Sequence, residues 1–265
     1  MLLLYGLTAL LYASLSVYLH LCLTREQPIA KIPTLIGIAI AVMLHATLLF
    51  PQIITLYGLN FNLFNSISLT TLFFVGFFGL FALYRPILSL GVLALPTALV
   101  GLSIGHHYGQ SAYTPLIDVS VALQAHILLS FAAYCVLLMA FVQSIILRLQ
   151  IRELKRQSIH RFWVSKLPSL QSMESLLFDM ILMGFVLLSI ALGVGFVLTY
   201  DVLAQHIAHK LVFSVLSWLI FGAFLIGHYQ QGWQGKKATS FTFLGFALLA
   251  LGFVGSKVVL ELIIG

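Results

Sequence analysis

The chain has 265 residues, of which 61% are hydrophobic and only 8% charged. A soluble domain carries about 25% charged residues, so the composition excludes one and points to an all-α polytopic transmembrane bundle. The formal net charge of +6 would suit a nucleic-acid partner, but the basic residues fall in the gaps between apolar runs, and the charge reports membrane topology instead.

Apolar runs of spanning length occupy Leu2–Leu23, Lys31–Phe50, Ile67–Tyr84, Pro86–Ile104, Val119–Leu149, Met173–Tyr200, Ile207–His228 and Thr239–Ile264, about eight spans in a single integral membrane domain over residues 1–265. The first run lacks a basic leader and is too long for a signal-peptide core, so it reads as a retained helix. Arg25 and Lys31 lie between spans one and two and Arg85 between three and four. The basic loop 150–172 follows span five, and Lys236 and Lys237 separate seven from eight. These are alternate loops. The positive-inside rule makes them cytoplasmic and puts both termini outside. The stretch Arg148–Lys166 reads first as a solvated cytoplasmic loop, with contact to anionic lipid of the bilayer as the alternative.

The remaining loops differ in character. Gln52–Ser66 alternates aromatic and amide residues, as a segment lying at the membrane interface would. Gly105–Asp118 holds His106 and His107, read as outer-loop residues. Cys22 and Cys135 lie inside apolar runs, with no C-x-x-C pair, which excludes a thiol relay or covalent haem attachment built on that motif.

Histidine is the main intramembrane chemistry. His45 in span two, His126 in span five and His209 at the start of span seven lie at comparable depths toward the outer side, while His20 and His228 lie near inner ends. A histidine in a span is costly unless it faces protein or a ligand. The bland reading makes each one a lone imidazole bonded to a neighbouring helix. The sharper reading makes two of them axial ligands of one haem b, since neutral imidazole is a common metal ligand and a haem ligand. His209 and His228 are separated along one helix by roughly 28 Å and cannot share an iron. No H-E-x-x-H occurs and no carboxylate sits with the histidines, so zinc hydrolysis and a facial iron triad have no motif.

From Pro115 onward the residues resemble a known family. Pro115–Asp118, the run Leu123-Gln124-Ala125-His126 with Ser130 and Tyr134, Leu167–Phe178, His209-Lys210 with Trp218, Gly232-Trp233-Gln234-Gly235, and Gly245-Phe246 with Gly255 and Lys257 are similar to the haem-handling membrane proteins of cytochrome c assembly, most closely the small bacterial inner-membrane branch of the YpjD type. The first hundred residues resemble it only in hydropathy and length. The resemblance implies haem handling rather than substrate turnover, no catalytic residues, and other cytochrome assembly membrane proteins as partners in the inner (plasma) membrane of a bacterial cell. It implies His126 as an axial ligand and Lys210 as a retained position facing a haem propionate. The family's tryptophan-rich segment before span seven is replaced by Ala204–Lys210, and its outer histidine after the last span has no counterpart, so His209 becomes the candidate second ligand. The family's inner histidine of span seven falls at Ile226 rather than His228. His45 is the reserve ligand, and His228 could serve only an inner site.

Two other classes compete. A small-molecule or ion transporter would use Asp179, Lys257 and Glu261 as its polar path, and a membrane scaffold would present the basic loop to a partner protein.

Overall fold

A computed structural model describes residues 1–55, 58–110, 120–155, 167–198 and 208–259, with backbone alone at 198, 208, 209 and 253–259. The described residues form eight α-helices: α1 (Leu2–Thr24), α2 (Lys31–Ile53), α3 (Leu63–Tyr84), α4 (Gly91–Tyr108), α5 (Val121–Lys155), α6 (Leu170–Leu198), α7 (Ala208–Gln231) and α8 (Lys236–Val259). Seven of these are long and apolar enough among the described residues to cross a membrane. The all-helical polytopic architecture expected from hydropathy is what is observed. In hydrocarbon a helix satisfies its own backbone, which is why long apolar runs leave the chain little alternative.

The described residues divide into two compact units, one built on α1–α4 and the other on α5–α8. In the first, α3 packs on α4, α4 on α1, α1 on α2 and α2 on α3, closing a ring. The α3–α4 contact is made by small residues. A Cβ on Gly105 would stand 2.6 Å from both Cβ and Oγ of Ser68, and one on Gly101 would overlap the side chain of Thr71. The G-x-x-x-G spacing puts both glycines on one face of α4, and that face lets the two backbones approach closely, the usual device where lipid removes any hydrophobic drive to association.

His45 is fully buried in this ring. Its Nδ1 meets the Tyr12 hydroxyl at 3.3 Å and its Nε2 the Ser68 hydroxyl at 2.9 Å. One ring nitrogen donates and the other accepts, so the imidazole of α2 is satisfied by α1 and α3 at once.

Three segments depart from the hydropathy boundaries. The amide-rich run after α2 folds into a cap over the helix ends. Strands β1 (Ile54–Thr55) and β2 (Gly58–Leu59) pair antiparallel, and the Asn62 side-chain oxygen accepts the Asn65 backbone N–H at 2.8 Å to start α3. The Asn62 amide donates to the Gly109 carbonyl at 2.6 Å, which ties the end of α4 to the start of α3. Helix α4 therefore continues through His106 and His107, where Tyr5 of α1 stacks on His106 with ring centroids 4.2 Å apart. Finally, α5 runs 35 residues to Lys155, so the first part of the expected basic loop is helical. Arg, Leu, Glu and Lys are good helix formers, and their polarity ends the apolar run without ending the helix.

Replacing Gly105 by Val should force α3 and α4 apart and lower stability by about 1–3 kcal/mol. Thermal unfolding in detergent tests this, and a melting temperature equal to that of the unmodified chain would contradict the close-packing account.

Candidate functional site: a histidine-lined cavity in the second unit

The second unit is also held by small residues and by polar groups that find partners between helices. The Gly184 face of α6 sits against Leu137 of α5. Gln143 of α5 donates to the Met173 carbonyl at 3.3 Å. Ser217 of α7 donates to the Gly245 carbonyl of α8 at 2.8 Å. Trp218 of α7 stacks on Phe185 of α6 with centroids 5.3 Å apart and donates its indole N–H to the Ser189 hydroxyl at 2.7 Å. That hydroxyl in turn donates to the Phe185 carbonyl at 2.7 Å, so one serine joins the indole to the α6 backbone.

The same four helices line a partly open cavity of about 240 Å³, slightly below the usual range of small-molecule sites. Helical periodicity builds its walls. His126, Ser130 and Tyr134 recur every four residues along α5, and Leu188, Ala191, Leu192 and Gly195 form one stripe of α6. Lys210 and Ser214 come from α7, and Leu249 and Gly252 from α8. The lining is mostly apolar and includes one cation, Lys210, and no carboxylate among the described residues. Such a wall suits an apolar ligand with an anionic edge.

His126 is half-buried and its orientation is fixed. Its Nδ1 lies 2.9 Å from the Ala191 carbonyl oxygen. A carbonyl can only accept, so Nδ1 carries the proton and Nε2 keeps its lone pair. A backbone carbonyl that sets the tautomer in this way is the usual outer support of a ligating histidine. Gly195 makes the arrangement possible, because a Cβ there would stand 2.7 Å from Cε1 of the ring.

The other expected site residues fall as follows. Lys210 lines the same cavity as His126. His209 lies in the first turn of α7 beside it, and its side chain is outside the described part. His45 belongs to the first unit, with both ring nitrogens on hydroxyls. His228, at the far end of α7, stacks on Phe178 with centroids 4.0 Å apart and donates Nδ1–H to the Trp233 carbonyl at 2.8 Å. His20 is exposed on α1. Asp179 is half-buried on α6, and the side chains of Lys257 and Glu261 are outside the described part. Among the described residues no three His, Cys, Asp or Glu side chains gather as a metal cluster would require. Sequence reasoning missed the Ala191 carbonyl, Gly195 and the Tyr134 wall. The four-residue spacing from His126 through Ser130 to Tyr134 was the signal available for the last of these.

Taken together, the helices and this cavity define a multi-pass membrane protein with an imidazole and a lysine on the wall of one apolar chamber. The model of the cytochrome c assembly protein family matches residues 1–264, and the chain belongs to that family. The match extends over the first hundred residues, where the sequence offered only hydropathy. The chain is 27% identical over 235 residues to the inner membrane protein YpjD of Escherichia coli (strain K12), covering 86% of this chain and 87% of that protein. It is also similar to the cytochrome c biogenesis protein CcsA of Pyropia yezoensis, 29% identical over 93 residues, or 34% of this chain and 29% of that one. The CcsA of Cyanophora paradoxa is 31% identical over 85 residues, covering 31% of this chain and 26% of its own length. No solved structure matches the chain significantly.

Replacing Ser189 by Ala leaves the Trp218 indole N–H without its acceptor and should cost about 1 kcal/mol. The unfolding midpoint should fall and the indole emission should shift. If neither changes, the Trp218–Ser189 bond does not hold α6 to α7.

Proposed function

We propose that this protein binds one haem b in the cavity of its second unit and handles haem for cytochrome c assembly in the bacterial inner membrane, alongside other membrane proteins of that process. The observation that carries the reading is the fixed imidazole: Nδ1 of His126 committed to the Ala191 carbonyl, Nε2 left with its lone pair, in a cavity whose one cation among the described residues is Lys210. Family membership supports the process, and similarity to an inner membrane protein of Escherichia coli supports the membrane.

The residues fit the group by their chemistry. When bound, haem supplies an iron that takes axial imidazole and a macrocycle with two carboxylates. His126 would hold the iron from one side and His209 from the other. Lys210 would face a carboxylate, and Tyr134 with its neighbour Phe246, ring centroids 5.4 Å apart, would offer aromatic surface. Gly195 keeps the space in which the imidazole stands. His45, with both ring nitrogens bonded, is outside the proposed ligand set, and His228, at the other end of α7, could serve only a separate inner site.

The decisive comparison is the visible spectrum and haem content of protein purified under equal haem supply. The unmodified chain should show a low-spin Soret band. His126→Ala and His209→Ala should each leave a five-coordinate or empty iron, and His45→Ala and His228→Ala should retain the low-spin band. Lys210→Ala should weaken haem retention more than Lys257→Ala, and Gly195→Ala should lower it by crowding His126. The reading fails if His126→Ala and His209→Ala both keep the unmodified spectrum.

The loop charges further support both termini on the outer face. A reporter fused at Ser158 should then read as cytoplasmic and one at Gly265 as external. A reversed result at either position would refute this topology.

A further inference from the structure

At the end of the second unit remote from His126, α5 and α8 part to leave a second cavity of about 510 Å³. Its walls are graded. Toward the middle of the helices they are apolar, with Ile145 and Leu149 on α5 facing Phe243 on α8. Toward the helix ends they are cationic, with Arg148, Arg152 and Lys155 on α5 and Lys236 on α8. The grading follows from helix spacing. Residues 145, 148, 149, 152 and 155 form one stripe of α5, and α8 runs back alongside it from Lys236 to Phe243.

All four cations are solvent-exposed. The Arg148 guanidinium stands 5.6 Å from the centroid of the Phe243 ring and bridges the two walls. Among the described residues no carboxylate lines the cavity: Glu153 is buried, and Glu174 on α6 is engaged by the Gly235 backbone N–H. Four like charges around one opening repel each other, and an anion relieves that repulsion. An apolar floor beneath a cationic rim is the profile of a molecule with a charged head and a hydrocarbon body. Basic pockets between transmembrane helices on the cytoplasmic side recognise such headgroups.

We propose that this groove between α5 and α8 is a binding site for an anionic phospholipid, the phosphate held by Arg148, Arg152, Lys155 and Lys236 and the first chain carbons resting on Leu149 and Phe243. The proposal is independent of the haem reading.

The test uses the full chain in detergent, offered phosphatidylglycerol and phosphatidylethanolamine with identical acyl chains in equal amounts, with retained lipid measured by native mass spectrometry. The anionic lipid should be retained preferentially. Arg148→Gln with Arg152→Gln should reduce its retention about tenfold or more, whereas Arg148→Lys with Arg152→Lys should keep most of it. Arg25→Gln with Arg85→Gln, on the first unit, should leave it unchanged. If the first double variant cannot be purified, Lys155→Gln with Lys236→Gln, both on the exposed rim, carries the same expectation. Equal retention of the two lipids overturns the proposal, as does an unchanged glutamine double variant or an equal loss in the first-unit control. Displacement of the lipid by millimolar inorganic phosphate at constant ionic strength would assign the groove to free phosphate and also overturn it.

Discussion

Inside hydrocarbon a polar side chain has no water to fall back on, and its partner must come from the protein itself. That constraint decides most of what is specific in this molecule. In the first unit it draws Tyr12, His45 and Ser68 from three helices into one buried chain of contacts. In the second it pairs Trp218 with Ser189, Ser217 with the Gly245 carbonyl and His126 with the Ala191 carbonyl. Each bond is worth little more than about 1 kcal/mol net. Each orphaned group would cost more than that, so helix rotations and depths that pair these groups are favoured.

The same rule separates two histidines that look alike in the sequence. His45 and His126 both lie deep in apolar runs. His45 finds a hydroxyl for each ring nitrogen and so contributes to packing. His126 finds a carbonyl for one nitrogen only, beside a chamber with a lysine on its wall and a glycine where a larger residue would collide with the ring. The difference lies in what surrounds each residue on the neighbouring helices, not in its depth or its immediate sequence.

This explains how much could be read beforehand. Hydropathy finds the helices because a bilayer leaves long apolar runs one backbone solution. His126 and Lys210 stand out because ionisable groups are rare in such runs. The Ala191 carbonyl is invisible because every residue carries a carbonyl, and only helix rotation decides which one meets an imidazole. Gly195 is one glycine among several until the ring beside it is known. The amides at 60, 62 and 65 resemble an interfacial segment because polarity alone does not distinguish a group facing water from one capping a helix. Helix α5 outruns the apolar run for a related reason: loss of hydrophobicity marks the edge of the membrane, and helices do not have to stop there.

Helix α5 spans 35 residues without a glycine or a proline, about 52 Å of uninterrupted rise. Kinks arise almost always at such residues or at local bulges, so this element is a single stiff strut with His126 near one tip and Arg152 near the other. Its two working faces are locked in phase. One inserted or deleted residue between Tyr134 and Ile145 would turn one tip by about 100° relative to the other. The imidazole would then miss the Ala191 carbonyl, or the arginines would swing off their groove. The length of that middle stretch is therefore fixed far more tightly than the identity of its side chains.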